Sequence, residues 1–142
     1  MFNRSNRVDE FIEIYNTHHL TQDLSGFRIA SNVSYTFPSN TLIAPNAYLV
    51  VVSTAGQYTN VANTGPYLGS LLHNPAPGEV VLVNRSGAIL LDAAYDCDAP
   101  WPASADGGGH SLVLARPSYG EGDARAWAAS ARIGGSPGFG EK

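Results

Sequence analysis

The residues whose types and spacing could support chemistry are concentrated in one stretch, which reads DAAYDCDAPWPASADGGGHSL from Asp92 to Leu112. Four aspartates, one cysteine and one histidine fall within it. Carboxylate oxygens clustered in a loop are the ligands that calcium requires, so Asp96, Asp98 and Asp106 form a candidate metal site. Their spacing does not fit an EF-hand loop, which needs ligands at alternate positions, a central glycine and a closing glutamate.

The same residues also suit a long turn between two strands. Aspartate side chains hold turns by accepting hydrogen bonds from their own backbone, and the glycines after Asp106 permit positive φ angles. Pro100 and Pro102 fix φ on either side of Trp101. Because this chemistry needs no further ligand, we predict a structural turn with no metal and no other cofactor, and calcium binding is the alternative.

Nucleophilic catalysis fits the stretch poorly. Ser111 follows Gly109 and His110 as in a nucleophile elbow, but Val113 stands where the second glycine is required. The aspartates on both sides of Cys97 raise the pKa of its thiol and so disfavour the reactive thiolate. We therefore predict no catalytic residue and no enzyme activity.

Two pairs of ionisable residues lie earlier in the chain. His18 and His19 are adjacent, and neighbouring side chains on a strand point to opposite faces, so the two imidazoles cannot easily share one metal. Glu10 and Glu13 are three residues apart along a predicted strand and also face opposite sides. They are a poor acid and base pair.

Composition and charge limit the class of protein. Of 142 residues, 44% are apolar and 14% charged, which excludes a disordered chain and predicts one folded unit over residues 1–142. The net charge of -4 supplies no basic face, so no nucleic acid partner is expected. No apolar run approaches the ~20 residues that cross a bilayer, so we expect no membrane insertion. Cys97 has no second cysteine to pair with, and the first residues lack the apolar core of a signal peptide, which leaves cytosolic and exported locations open.

Apolar residues recur at every second position, which is the period of a β-strand. Val33, Tyr35 and Phe37 alternate with polar residues, as in a strand with one solvated face. By contrast, YLVVVS at 48–53 and EVVLVN at 79–84 are apolar on both phases, as in strands buried on both faces. About eight short strands are predicted in this way, which favours a sandwich or barrel.

The links between these strands carry turn residues. The polar segment at 84–87 separates EVVLV from AILLDAAY and predicts a β-hairpin. Gly26 marks a bulge or tight bend, and AWAASAR at 126–132 fits a strand slightly better than a short helix. Residues 54–78 predict a long loop, and the composition of Tyr58, Asn60, Asn63 and Tyr67 is that of a possible carbohydrate-binding loop.

The strand assignments also predict the core, because a sandwich interleaves the inner faces of two sheets. Trp101 is expected to be at least half buried. The side chains expected to be mostly buried are Ile14, Phe27, Tyr35, Val50, Val52, Leu82, Leu91, Leu112 and Trp127.

Six segments in consecutive order resemble the lamin-tail domain family. They are FIEIYN at 11–16, DLSGFRI at 23–29, LIAPNAYLVVV at 42–52, LLHNPAPGEVVLVNRSGAILLDAAYD at 71–96, PWPASADGGGHSLVL at 100–114 and SPGFG at 136–140. The resemblance covers nearly the whole chain and implies an all-β, immunoglobulin-like sandwich. It also implies that the aspartate-rich stretch connects two core strands and has no catalytic or metal role.

The resemblance further implies roles for individual residues and for the chain. Trp101 would be a packing anchor, and the residues expected to fix the structure with it are Pro100, Pro102, Gly107, Gly26 and Trp127. The implied function is a binding or scaffolding module of a larger, exported or cell-surface bacterial protein, with a protein or cell-surface component as partner. The alternative is an adhesion module that binds calcium or carbohydrate through the aspartates and the 54–78 loop.

Members of the family usually begin with an extra strand before the segment that reads MFNRSNRVDEFIEIYN here, so the start is expected to be truncated or diverged. The strand next to the missing one would expose an unpaired edge. We expect residues 1–8 to cover that edge, or the edge to pair with a second copy as a homodimer. The alternative is that residues 1–7 are frayed and the edge is solvated.

Overall fold

A computed structural model of the chain describes residues 10–71 and 77–141, and within these ranges it contains strands and short 3-10 turns but no α-helix. Thus, no helical segment of the described chain has the length and hydropathy that a bilayer crossing requires. The 3-10 turns cover Ala103–Ala105, Pro117–Tyr119 and Ala124–Ala126. The strands are β1 (Phe11–Tyr15), β2 (Gln22–Asp23), β3 (Arg28–Ser31), β4 (Val33–Thr36), β5 (Leu42–Ile43), β6 (Tyr48–Val52), β7 (Asn63–Thr64), β8 (Leu68–Gly69), β9 (Gly78–Val83), β10 (Ile89–Tyr95), β11 (His110–Leu114) and β12 (Trp127–Ile133).

Two sheets form the main layers. The larger is antiparallel with the strand order β10-β9-β3-β4-β8, and the smaller has the order β1-β6-β7, in which β6 and β7 run parallel. Two further pairs, β2 with β5 and β11 with β12, are antiparallel. The 54–78 segment, expected to be a long loop, therefore contributes two short strands, because β7 pairs with β6 and β8 pairs with β4.

The core lies between the two sheets, as a β-sandwich requires. Ile29 and Leu82 of the larger sheet share one buried cluster with Leu49 and Val51 of the smaller sheet. The alternate residues of β6, Val50 and Val52, are buried on the opposite face against Phe11. The prediction that YLVVVS is buried on both faces is therefore confirmed.

Local sequence signals explain the hairpin and the last strand. The predicted β9–β10 hairpin is present, and the Asn84 side chain holds its turn by accepting from the backbone N–H groups of Ser86 at 3.0 Å and Ala88 at 2.9 Å. AWAASAR forms β12 after a 3-10 turn that ends at Ala126, so the strand prediction is correct from Trp127 onward.

Most of the predicted core is buried or partly buried. Val50, Val52 and Leu82 are buried, whereas Ile14, Phe27, Tyr35, Leu112 and Trp127 are partly buried. The prediction for Leu91 is wrong, since this side chain is 44% exposed. Among the described residues, β10 is an outermost strand whose one strand partner is β9, so it is covered less than an inner strand.

The expectations for residues 1–8 lie outside the described residues. These include the covered edge, the frayed start and the missing first strand. The edge-paired homodimer stays a prediction.

Candidate functional site

Three consecutive apolar side chains on β10 form an exposed run on the surface of the described chain. Ile89, Leu90 and Leu91 are 62%, 47% and 44% exposed, and they are consecutive. The pairing of β10 with β9 shifts register between Ile89 and Leu91, so the run lies at a β-bulge. Water is therefore in contact with aliphatic side chains along a strand whose outer side has no strand partner among the described residues.

The backbone of β10 is accessible on the same side. The Asp92 N–H donates to the Glu121 carboxylate at 3.3 Å, so this N–H points away from β9. Since N–H and C=O groups of a strand alternate between its two sides, those of Ala94 also point outward. We call the outward side of residues 89–94 the β10 edge.

Glu121 is held beside this edge by a tryptophan. Trp127, the first residue of β12, donates its indole N–H to the Glu121 carbonyl oxygen at 2.9 Å. The Trp127 ring lies 6.2 Å from the ring of Trp101, centroid to centroid. The segment that contains Glu121 is thus anchored by an aromatic pair that links it to the aspartate-rich stretch.

The β10 edge is acidic. Neither β9 nor β10 contains a lysine or arginine, whereas Asp92 is exposed and Glu121 lies against the edge. In the segment that contains Glu121, Arg125 forms an ion pair with Asp123 at 2.6 Å, and its hydrogen bonds hold the pKa of Asp123 at about 2. Arg116 donates to the Arg125 carbonyl oxygen. The charged side chains that the structure shows on or against the edge are therefore Asp92 and Glu121.

The candidate calcium ligands take part in local turn contacts. Asp96 accepts from the Cys97 backbone N–H at 2.7 Å, and the Trp101 N–H donates to the Asp98 carbonyl oxygen at 3.0 Å. The Asp106 N–H donates to the Ala103 carbonyl oxygen at 3.1 Å. In residues 10–71 and 77–141, no group of three or more His, Cys, Asp or Glu side chains is placed to hold a metal ion.

Cys97, whose thiolate the sequence predicts to be disfavoured, has a raised thiol pKa, as expected. Desolvation by burial is the largest cause, followed by the Asp96 hydrogen bond and the charges of Asp98, Asp106 and Asp96. Sequence reasoning identified the charges but not the desolvation, which depends on packing.

His110 and Ser111, which only partly match a nucleophile elbow, have separate hydrogen-bond partners. His110 Nδ1 hydrogen-bonds the Ser130 carbonyl oxygen at 2.6 Å. Ser111 is buried, and its hydroxyl has no hydrogen-bond partner in the part of the chain that the structure describes. Its backbone N–H donates to the Ser130 hydroxyl at 2.9 Å.

The residues of the candidate carbohydrate-binding loop differ in their exposure to solvent. Tyr67 is only 2% exposed and its hydroxyl donates to Glu10, so its side chain is directed into the fold. Tyr58 is partly buried with its ring edge-to-face on Phe11 at 5.8 Å. Asn63 donates to the backbone carbonyl oxygens of Tyr58 and Val61, and both Asn60 and Asn63 are exposed. The ligand role of the four residues stays a prediction.

Sequence reasoning missed the burial of the Glu10 carboxylate. Its side chain is fully buried and accepts from the Tyr67 hydroxyl at 3.0 Å, the Ser70 hydroxyl at 2.8 Å and the Leu71 N–H at 3.0 Å. Glu13 instead accepts from the Gly138 N–H, and burial raises its pKa. The two carboxylates therefore have separate partners, as expected from their spacing. No local signal distinguishes Glu10, because its donors lie 57 to 61 residues further along the chain.

The paired histidines lie in an exposed bend between β1 and β2. Asn16 organises this bend by accepting from the His18 N–H at 2.9 Å and donating to the Leu20 carbonyl oxygen at 2.9 Å. Both histidines are therefore exposed in a solvated turn.

The predicted structural anchors occupy turns or partly buried positions. Gly26 and Gly107 have φ angles of 75° and 73°, which favour glycine. Trp101 is more than half buried, as predicted, Pro102 precedes a 3-10 turn, and Pro100 is exposed. Their anchoring roles stay predictions.

The two face-to-face sheets, the nearly all-β content and the strand connections define an immunoglobulin-like β-sandwich. The family model of the Lamin Tail Domain matches residues 1–127, and the chain belongs to this family. A comparison with curated proteins finds no match. Most of β12 and the segment after it lie beyond the matched residues.

Proposed function

We propose that the chain is a non-enzymatic binding module that recognises a protein partner through the β10 edge, within a larger exported or surface polypeptide. The observation that carries this proposal is the run of three exposed aliphatic residues, Ile89–Leu91, on an outermost strand. Exposed apolar groups beside unpaired backbone groups favour association with another chain. The family supports a module role but does not specify the partner.

The state of the candidate nucleophiles supports a binding role. The raised pKa of Cys97 disfavours its thiolate, and His110 is bonded to backbone, away from the Ser111 hydroxyl. A nucleophile needs a neighbouring base or a lowered pKa, and these contacts provide neither.

Carbohydrate binding is a second candidate, at a different place from the 54–78 loop. Tyr15 is exposed and stacks on Tyr48 with 4.5 Å between ring centroids, and its hydroxyl donates to Asn46. Exposed rings beside amides suit sugar faces. A glycan array in which Tyr15→Ala abolishes a reproducible signal would support this candidate, whereas no signal, or one unchanged by the substitution, would contradict it.

The protein-binding proposal is tested in two steps, by crosslinking and by a matched pair of substitutions. In the first step, a photo-crosslinking residue at position 94, on the β10 edge, should give a discrete adduct with a protein of the source cell, whereas one at position 18, in the exposed bend, should not. The captured protein is then purified, and its affinity is measured for the wild type, Leu90→Asp and Leu20→Asp.

We expect Leu90→Asp to weaken binding by about tenfold or more, since it places a charge in the apolar contact, and Leu20→Asp to leave binding unchanged. Equal affinities for the two variants would contradict a partner at the β10 edge.

A further inference from the structure

We infer that the partner presents an extended segment that adds to β10 as a further strand and carries basic residues alternating with apolar ones. This inference rests on the proposed function and specifies the geometry and chemistry of the same surface. It combines the direction of the backbone groups, the exposed side chains and the charge of the β10 edge.

The backbone supplies the docking geometry. The N–H and C=O groups of Asp92 and Ala94 point outward, and two residues of a strand span about 6.6–6.8 Å. An incoming strand repeats its own outward groups at the same spacing, so it can form a hydrogen-bonded ladder without any change in β10. Main-chain hydrogen bonds of this kind give affinity in strand addition, and side-chain contacts give specificity.

The exposed side chains of β10 indicate that the partner segment also carries apolar residues. Tyr95 reaches inward to the Leu71 carbonyl oxygen at 2.7 Å, so Asp92 and Ala94, which alternate with it, lie on the outer face of the sheet. Leu90 and Leu91 add exposed aliphatic surface at the bulge. An incoming strand therefore meets aliphatic side chains at one end of the edge and a carboxylate and a small residue further along.

The position of Glu121 indicates that the partner segment carries basic residues. The Glu121 carboxylate accepts a hydrogen bond from the Asp92 N–H. In an added strand, a backbone carbonyl oxygen would take the place of this carboxylate oxygen. This hydrogen bond is exposed and, at 3.3 Å, long, so displacing it costs little. A lysine or arginine on the incoming strand can pair with the displaced Glu121 and with Asp92, while an acidic side chain there would be repelled.

A second copy of this chain is a poor occupant of the edge. Pairing of two β10 edges would bring together the Asp92 and Glu121 carboxylates of both copies, and neither β9 nor β10 offers a basic residue to balance them. Like charges on neighbouring strands destabilise pairing. The observations therefore favour a different, basic segment.

The test uses the full chain and synthetic peptides of about nine residues, a common strand length. One peptide alternates valine and lysine, a second alternates valine and glutamate, and a third equals the first except that its central valine is proline. Proline keeps the charge but removes a backbone N–H and disrupts the ladder. Binding is measured by fluorescence anisotropy at about 0.15 M salt, which screens distant charges, and hydrogen exchange reports on the Ala94 amide.

We expect the valine–lysine peptide to bind at least about tenfold more tightly than either other peptide and to slow exchange at Ala94. The double variant Asp92→Asn with Glu121→Gln should reduce the preference for lysine over glutamate several-fold, and Leu20→Asp should not change it. Equal binding of the proline peptide would overturn strand addition, and equal binding of the glutamate peptide would overturn the basic partner. Self-association of the chain that Leu90→Asp abolishes would also overturn the inference in favour of a second copy.

The two proposals fail in distinguishable ways. If the captured protein loses affinity for Leu90→Asp while the valine–lysine peptide does not bind, the protein-binding function stands and the basic-strand inference is overturned. If Leu90→Asp affects neither the captured protein nor the peptide, both are overturned at this surface.

Discussion

At the scale of single residues, Glu10 is a carboxylate that is fully buried in the fold. A carboxylate can be buried when enough donors converge on it, and here a tyrosine hydroxyl, a serine hydroxyl and a backbone N–H do so. Removing the carboxylate leaves these buried donors without their acceptor. The burial of Glu10 is therefore explained by the three donors that the fold places around it and not by its residue type.

Two substitutions at Glu10 should differ clearly. Glu10→Ala should lower the free energy of unfolding by about 3 kcal/mol or more, since the Tyr67 hydroxyl and the Leu71 N–H both lose their acceptor. Glu10→Gln should cost about 1 kcal/mol, because its carbonyl can accept from these two donors while its amide donates to Ser70. Urea denaturation measures both, with the exposed Asp92→Ala as control, and equal losses for the two Glu10 variants would refute the donor argument.

Cys97 gives a prediction on pH dependence. Its raised thiol pKa means that less thiolate is present at a given pH, so alkylation by iodoacetamide should reach half its maximal rate at a higher pH than for N-acetylcysteine amide, a small thiol without a carboxylate. Desolvation is the main cause and Asp98 a smaller one, so Asp98→Asn should move the midpoint part of the way down. A midpoint at or below that of the small thiol would contradict this assignment.

At the scale of elements, the β9–β10 hairpin depends on a close contact between a glycine and a tyrosine. Gly78 is paired in register with Tyr95, and a methyl group on Gly78 would overlap the Tyr95 ring. The ring covers the glycine, and its hydroxyl donates to the Leu71 carbonyl oxygen, while burial raises the pKa of this hydroxyl. This contact fastens one end of the outermost strand, whose other end is the exposed apolar run.

A double-mutant cycle tests the contact. Gly78→Ala alone should destabilise the protein by about 2 kcal/mol because the Tyr95 ring must move. In a Tyr95→Ala background, the same substitution should be nearly neutral, since the overlap is gone. Thermal unfolding measures the cycle, with Gly122→Ala as control because no atom lies within 4 Å of the added group. Additive effects would show that the two residues do not interact.

At the scale of the whole molecule, the sequence predicts what depends on local alternation and turns. The β9–β10 hairpin and the doubly buried β6 follow from patterns within a few residues. The exposure of Leu91 cannot be read from such a local pattern. Leu82 and Leu91 are both leucines, but Leu82 belongs to the inner strand β9 and is buried, whereas Leu91 belongs to β10, the outermost strand among the described residues, and is exposed. The order of strands in a sheet is set by pairing between distant segments.

The candidate site shows the same limit. Tyrosine is a residue type that often contacts ligands, which is why the sequence suggests a binding role for Tyr67. Its hydroxyl instead donates to Glu10, which lies 57 residues away in the sequence. The two-residue strands β7 and β8 are too short to produce a recognisable period. The acidic character of the β10 edge requires Glu121 to meet Asp92, a contact between residues 29 positions apart.

Calcium provides a test on the whole chain. If Asp96, Asp98 and Asp106 serve turns, excess calcium should leave the melting temperature unchanged. A site filled at 100 times its dissociation constant would add about 2.7 kcal/mol to the stability. Calorimetry with calcium and with magnesium measures the difference, and a calcium-specific rise that Asp96→Asn with Asp98→Asn removes would restore the adhesion hypothesis.

The hydrogen bond from the Gly138 N–H to the Glu13 carboxylate joins positions 125 residues apart. Residues near the two ends of the described chain therefore lie side by side, an arrangement that tolerates insertion into a host polypeptide. A force that pulls these two ends apart would act on this junction first, and it would separate the last segment from β1 before it shears a sheet.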